Sequence, residues 1–223
     1  MKRSFLAFNC LLISMIASAP VSAQETGSLI KRPAAQIRGT SPEAVSRTLI
    51  EFGNCVVRKF PERVQVVTRM NVTNKNYRSM LKDLADEDCL STGELSMSST
   101  LLRGALFIGL YERLYSAKGR VDFTGLQSPE YLKGYEKPLD PAAVSAIAVA
   151  RFGECIARKE GGNAVQLLNS LPGSSSEDTM VRALTPSISG CVPAGETLRL
   201  SRQFVRASIA EAIVTMLRNE GQK

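Results

Sequence analysis

Histidine and tryptophan are both absent from this 223-residue chain. Without histidine the commonest general base and the commonest metal ligand are gone. Ser-His-Asp and Cys-His nucleophilic catalysis are excluded with it. Aromatic residues make up 6% of the chain, which leaves little to stack on unpaired bases. The formal charge is +7. It is spread thinly rather than gathered into a tail or stripe, so nucleic acid is not an expected partner. Beyond the first 23 residues no apolar run is long enough to span a bilayer, and no alternating strand pattern stands out. None of the five cysteines forms a C-x-x-C pair. That argues against a zinc site and a thioredoxin-like site, and no cofactor is expected.

What is present starts with a leader. Lys2 and Arg3 precede a mostly apolar run from Phe5 to Ala17, and Val21-Ser22-Ala23 offers small residues for cleavage before Gln24. This is the pattern of a secretory signal over residues 1–23, with Cys10 leaving inside it. Its short basic start and Ala-Ser-rich end look bacterial, which places the mature chain in a periplasm or outside the cell. The leader holds two basic residues and no acid, so cleavage leaves a charge of +5. Residues 24–40 contain Gly27, Pro33 and Gly39 and no apolar period, and read as a flexible tail.

The remainder repeats itself. FGNCVVRK at Phe52–Lys59 returns as FGECIARK at Phe152–Lys159, and Cys89-Leu90-Ser91-Thr92-Gly93-Glu94 is echoed by Cys191-Val192-Pro193-Ala194-Gly195-Glu196. An internal duplication follows: repeat 1 over 41–115, a linker over 116–139, and repeat 2 over 140–223. Four mature cysteines allow three pairings. The duplication favours Cys55–Cys89 and Cys155–Cys191, with a cross-repeat pairing such as Cys55–Cys155 as the alternative. A loop of about 35 residues closed by each bridge would contribute about 4 kcal/mol in the chain-entropy model.

Each copy reads as four helices. Ser41-Pro42 and Asp140-Pro141 supply a cap followed by proline at the first helical position. Val45, Leu49, Phe52 and Val56 then share a stripe, as do Val144, Ala148, Phe152 and Ile156. A short second helix carries Val64, Val67 and Met70, or Val165, Leu168 and Leu171. A third carries Tyr77, Met80, Leu81 and Leu84, or Met180, Val181 and Leu184, and ends near the second cysteine. A last helix capped by Ser98 or Ser201 repeats leucine, valine or isoleucine every four residues, from Leu102 to Leu114 and from Val205 to Leu217. The expected fold is all-α, two four-helix copies packed as one pseudo-symmetric domain. Gly53 and Gly153, inside helices, point to a close helix–helix approach. The linker, with Phe123, Tyr131 and Tyr135, has enough aromatic surface to lie in a groove between the copies.

Repeated charges are the nearest thing to a site. Arg58, Arg103, Arg158 and Arg206 recur in corresponding places, and Glu94 and Glu196 recur after the second cysteines. The structural reading pairs each arginine with the glutamate of the connection, or with carbonyls at a helix C-terminus. The functional reading makes the four arginines a pair of anion pockets, since planar guanidinium groups suit carboxylate and phosphate. The acidic cluster Asp83, Asp86, Glu87 and Asp88 lacks the spacing of a calcium loop and reads as a solvated helix end. The expected function is therefore a non-catalytic binding or interaction module of the envelope, meeting an envelope protein or an anionic envelope component. Two alternatives are a hydrolase of envelope polymers acting through Glu94 or Glu196, and a structural stabiliser of an envelope complex.

Overall fold

The computed structural model describes residues 28–31, 41–90, 94–192 and 200–221. The expected leader, its expected cleavage site and Glu196 lie outside the described residues. Among the described residues eight α-helices run in order: α1 (Pro42–Lys59), α2 (Pro61–Arg69), α3 (Tyr77–Lys82), α4 (Ser99–Leu114), α5 (Pro141–Lys159), α6 (Gly161–Asn169), α7 (Ser175–Ser189) and α8 (Arg202–Glu220). The fold of the described residues is all-helical apart from one two-stranded antiparallel ribbon, β1 (Ser28–Lys31) on β2 (Glu94–Met97). Four residues of the expected flexible tail are thus strand. Leu29 and Ile30 belong to a strand-forming pair of side chains that the surrounding glycine and proline conceal in the sequence.

The four anticipated caps are in place. Ser41 Oγ accepts from the Ala44 N–H at 3.2 Å, and Asp140 Oδ1 accepts from Ala142 at 2.7 Å. Ser98 and Ser201 do the same for Leu101 and Phe204. Each satisfies one of the orphan donors of a helix start. The third helices differ from expectation. α3 stops at Lys82, two residues short of Leu84, and gives way to turns and a 3-10 turn at Glu87–Cys89. Acids follow at 83, 86, 87 and 88, and negative charge at a helix C-terminus opposes the macrodipole. α7 meets no acids in its last turns and continues to Ser189, through Pro186.

The centre is α4 and α8. Leu102 and every residue from Gly104 to Tyr111 are buried on α4, as a helix apolar on all sides requires. α8 buries Val205 through Ala210 and Ala212 through Val214. α1 lies against α4, α5 against α8, and α4 against α8. One cluster of buried side chains spans both halves, including Phe52, Phe107, Phe152 and Ile213. The stripes hold except at their ends: Val45, Leu114 and Leu171 are exposed, Leu171 because it lies past the cap of α6.

The helical glycines mark the tight contacts. A Cβ on Gly53 would sit 2.2 Å from the Ala105 carbonyl oxygen, and one on Gly153 would sit 2.0 Å from that of Ser208. Backbone cannot give way as a flexible side chain would. Gly153→Ala should therefore cost about 1–3 kcal/mol by overpacking, although alanine is by itself the better helix former. Gly162→Ala in α6, where a Cβ meets nothing within 4 Å, should be neutral or slightly stabilising. Urea unfolding of both variants measures the contrast, and equal stabilities would refute the close approach.

Candidate functional site

The disulfides are Cys55–Cys89 and Cys155–Cys191, with Cα–Cα distances of 5.5 and 5.6 Å. Each ties the first helix of its half to the segment after the third. Near the first bridge, Lys59 Nζ reaches Asp86 at 2.5 Å and Asp88 at 2.9 Å, so part of the acidic cluster is held by an ion pair.

The four repeated arginines are not brought together. Arg58 is exposed at the end of α1, and no ion pair joins it to a described residue. Arg206, 2% exposed, gives its guanidinium to the chain itself: the Leu168 and Ser170 carbonyls at 3.0 and 3.1 Å, the Ser170 hydroxyl at 3.1 Å, and Glu177 Oε1 at 2.8 Å. Burial lowers its pKa and Glu177 opposes that. Arg103 does the equivalent job at the end of α2, donating to the carbonyls of Val67, Thr68 and Met70 and pairing with Glu211 at 2.9 Å. Burial works against its charge, but Glu211 and Tyr77 more than offset it and its pKa is raised. Both arginines thus hold helix C-terminal carbonyls. Their carboxylate partners are Glu211 and Glu177, residues that sequence reasoning passed over. The Glu94 side chain lies outside the described residues.

Arg158 organises the linker. Its guanidinium donates to the carbonyls of Phe123, Thr124 and Leu126 at 2.7–2.9 Å and pairs with Glu154 at 2.6 Å. Glu154 accepts in turn from the Ser128 hydroxyl at 2.6 Å and from the Tyr131 hydroxyl. Phe123 and Leu126 are buried under this clasp. The first half has Asn54 where the second has Glu154. Asn54 donates to Glu112 instead, and Arg58 is left outside. The pair that looks repeated in sequence therefore pins the linker to one half alone.

So held, residues 127–135 form one wall of a cleft of about 770 Å³. The end of α2 with the turn after it, from Thr68 to Asn74, forms another wall. α5 contributes Ala146, Ile147 and Ala150, and α8 contributes residues from Glu211 to Asn219. The cleft is lined from both the 41–115 and the 140–223 segments as well as from the linker. Of the four repeated arginines only Arg103 lines it. Sequence reasoning missed Arg69 and Arg218, which line it as well. The duplication expected from the sequence would make Tyr115 the mate of Arg218, so no duplicate draws attention to it.

Among the described residues, no cluster of three acidic or cysteine side chains is arranged to hold a metal ion, and no helix is long and apolar enough to cross a membrane. No family model, curated protein or solved structure matches the chain.

The clasp has a pH signature. Burial raises the Glu154 pKa, but the Ser128, Tyr131 and Arg158 hydrogen bonds outweigh it and hold the group below its ordinary 4.5. Its contribution to stability is present above that value and is lost as pH falls through the lower folded-state pKa. Wild type should lose stability below about pH 4.5 by a component that Glu154→Gln lacks. Arg158→Ala should cost about 2–3 kcal/mol and open the linker to trypsin at Arg120 and Lys133. Thermal unfolding against pH and limited proteolysis read the two effects, and an unchanged linker cleavage rate would refute the clasp.

Proposed function

We propose that this is an exported, non-catalytic binding protein of the bacterial envelope, made of a duplicated four-helix unit and recognising its partner in the cleft between the halves. The cleft carries the reading. Its size falls within the range of small-molecule sites, about 300–1,000 Å³, and it is lined by polar groups from three helices and the linker. Both disulfides suit an oxidising compartment. The leader, with its basic start and Val21-Ser22-Ala23, supports export with cleavage near Ala23. The duplication is supported by matched caps, matched Cys loops, glycines 53 and 153 at matched helix contacts, and Arg103 and Arg206 at matched helix ends.

Expressed with its leader in a Gram-negative host, the protein should accumulate in the periplasm with Gln24 as its first residue and no free thiol. N-terminal sequencing and thiol titration check this; a cytoplasmic product that keeps the leader would refute the export. Native mass spectrometry of that material should show a retained species. Ala150→Trp, which fills the cleft, should lose that species while keeping the wild-type melting temperature. Retention by this variant would place recognition elsewhere.

A further inference from the structure

Among the described residues, every interior arginine but one is matched by a carboxylate. Arg103 has Glu211, Arg158 has Glu154 and Arg206 has Glu177. Each of these also reaches two or more acceptors on the chain. Arg218 is the exception. Both of its terminal nitrogens meet the same neutral atom, Thr68 Oγ1, at 3.2 Å. That hydroxyl already donates its proton to the Val64 carbonyl at 2.7 Å and offers Arg218 only its oxygen. The guanidinium otherwise stands over the Phe107 ring, 5.9 Å from its centre.

Its neighbours make the position worse. Arg69 and Arg103 line the same cleft, and with Lys133 they set four cations against two carboxylates, Glu130 and Glu211. Glu211 is taken by Arg103 and Glu130 by Lys133, the latter at 2.7 Å. Arg218 and Arg69 are left with no carboxylate among the described residues. Burial, then the charges of Arg69 and Arg103, push the Arg218 pKa down to about 10. Like charges concentrated at a half-buried surface destabilise the protein unless an anion relieves them. Such an anion has room, because Arg218 lines the cleft.

The geometry points to an oxyanion site at Arg218 and Arg69, where the acid group of a small organic carboxylate or phosphate is held by the two guanidinium groups. Their planar forks present paired N–H donors that match either oxyanion. The body of the ligand has a surface to lie on. Ala146, Ile147 and Ala150 of α5 form a low apolar wall, and Tyr131 and Tyr135 stand on the linker side. An inorganic ion would fill the charged end of this cavity and leave the wall unused.

Isothermal titration of the mature, oxidised protein with phenyl phosphate, benzoate and inorganic phosphate tests the assignment. At least one aromatic anion should bind more tightly than inorganic phosphate, and comparing the two aromatic anions reads which acid group is held. Arg218→Gln should weaken that binding about ten- to a hundredfold and raise the melting temperature of the free protein or leave it unchanged. Arg218→Lys, which keeps the charge without the fork, should fall between. No binding, equal affinity for inorganic phosphate and the aromatic anions, or binding that Arg218→Gln leaves intact would each overturn the site. The inference rests on the cleft being a recognition site, and the two fail separately. A retained species lost from Ala150→Trp but kept by Arg218→Gln leaves the recognition site standing and removes this one.

Discussion

Two helices can approach this closely only where side chains are missing, and α4 meets α8 at such a point. A Cβ on Gly104 would lie 2.5 Å from that of Ala207. The rest of the molecule is arranged around that crossing. α1 closes on α4 through Gly53, and α5 closes on α8 through Gly153. Arg103, one residue before the crossing glycine, reaches across the halves to Glu211, and Arg218 reaches across to Thr68. The cleft is lined by α2, α4, α5 and α8 together with the linker that Arg158 clasps. Small chains bury little surface, and one shared core stabilises two short four-helix units better than two separate ones. The disulfides act elsewhere, each closing a loop within its own half.

Arginine is used in two ways within the same scaffold. At the ends of α2 and α6, Arg103 and Arg206 complete helix C-termini, with a carboxylate to balance the charge. Burying such a pair costs desolvation, so its value lies in fixing geometry rather than in net stability. Arg158 does similar work on the linker carbonyls. Arg218 has the same side chain on the same kind of helix, but its only polar partner among the described residues is a hydroxyl. The difference between a charge satisfied by its own chain and one that is not separates framework from candidate site.

Much of the framework was legible because it is local. Ser41, Asp140, Ser98 and Ser201 announce helix starts through chemistry confined to three or four residues. The four-residue spacing from Leu102 to Leu110 marks a buried helix face. The similarity of the two cysteine-bearing segments favoured the pairing Cys55–Cys89 and Cys155–Cys191 over a cross-repeat one, and those are the bridges present. Long-range relations were not legible in this way. Nothing near Ser28–Lys31 identifies Glu94–Met97 as its strand partner. Glu177 and Glu211 are unremarkable in sequence and acquire meaning only beside Arg206 and Arg103. The arginines that recur in sequence were the expected site, and three of them, Arg103, Arg158 and Arg206, serve the chain's own carbonyls instead. Arg69 and Arg218, with Ser170 and Tyr115 in the corresponding positions, are what the halves do not share.

The dependence of the whole on one inter-half contact is tested most directly by native-state hydrogen exchange in increasing denaturant. If α4 and α8 form a single shared core, their central amides, from Gly104 to Leu110 and from Ala207 to Ile213, should exchange only through global unfolding. Both sets should then give one common opening free energy and one denaturant dependence. Two distinct opening energies, with one helix exchanging while the other stays protected, would contradict the account: the halves would unfold independently, and a cleft between them could not be a fixed site.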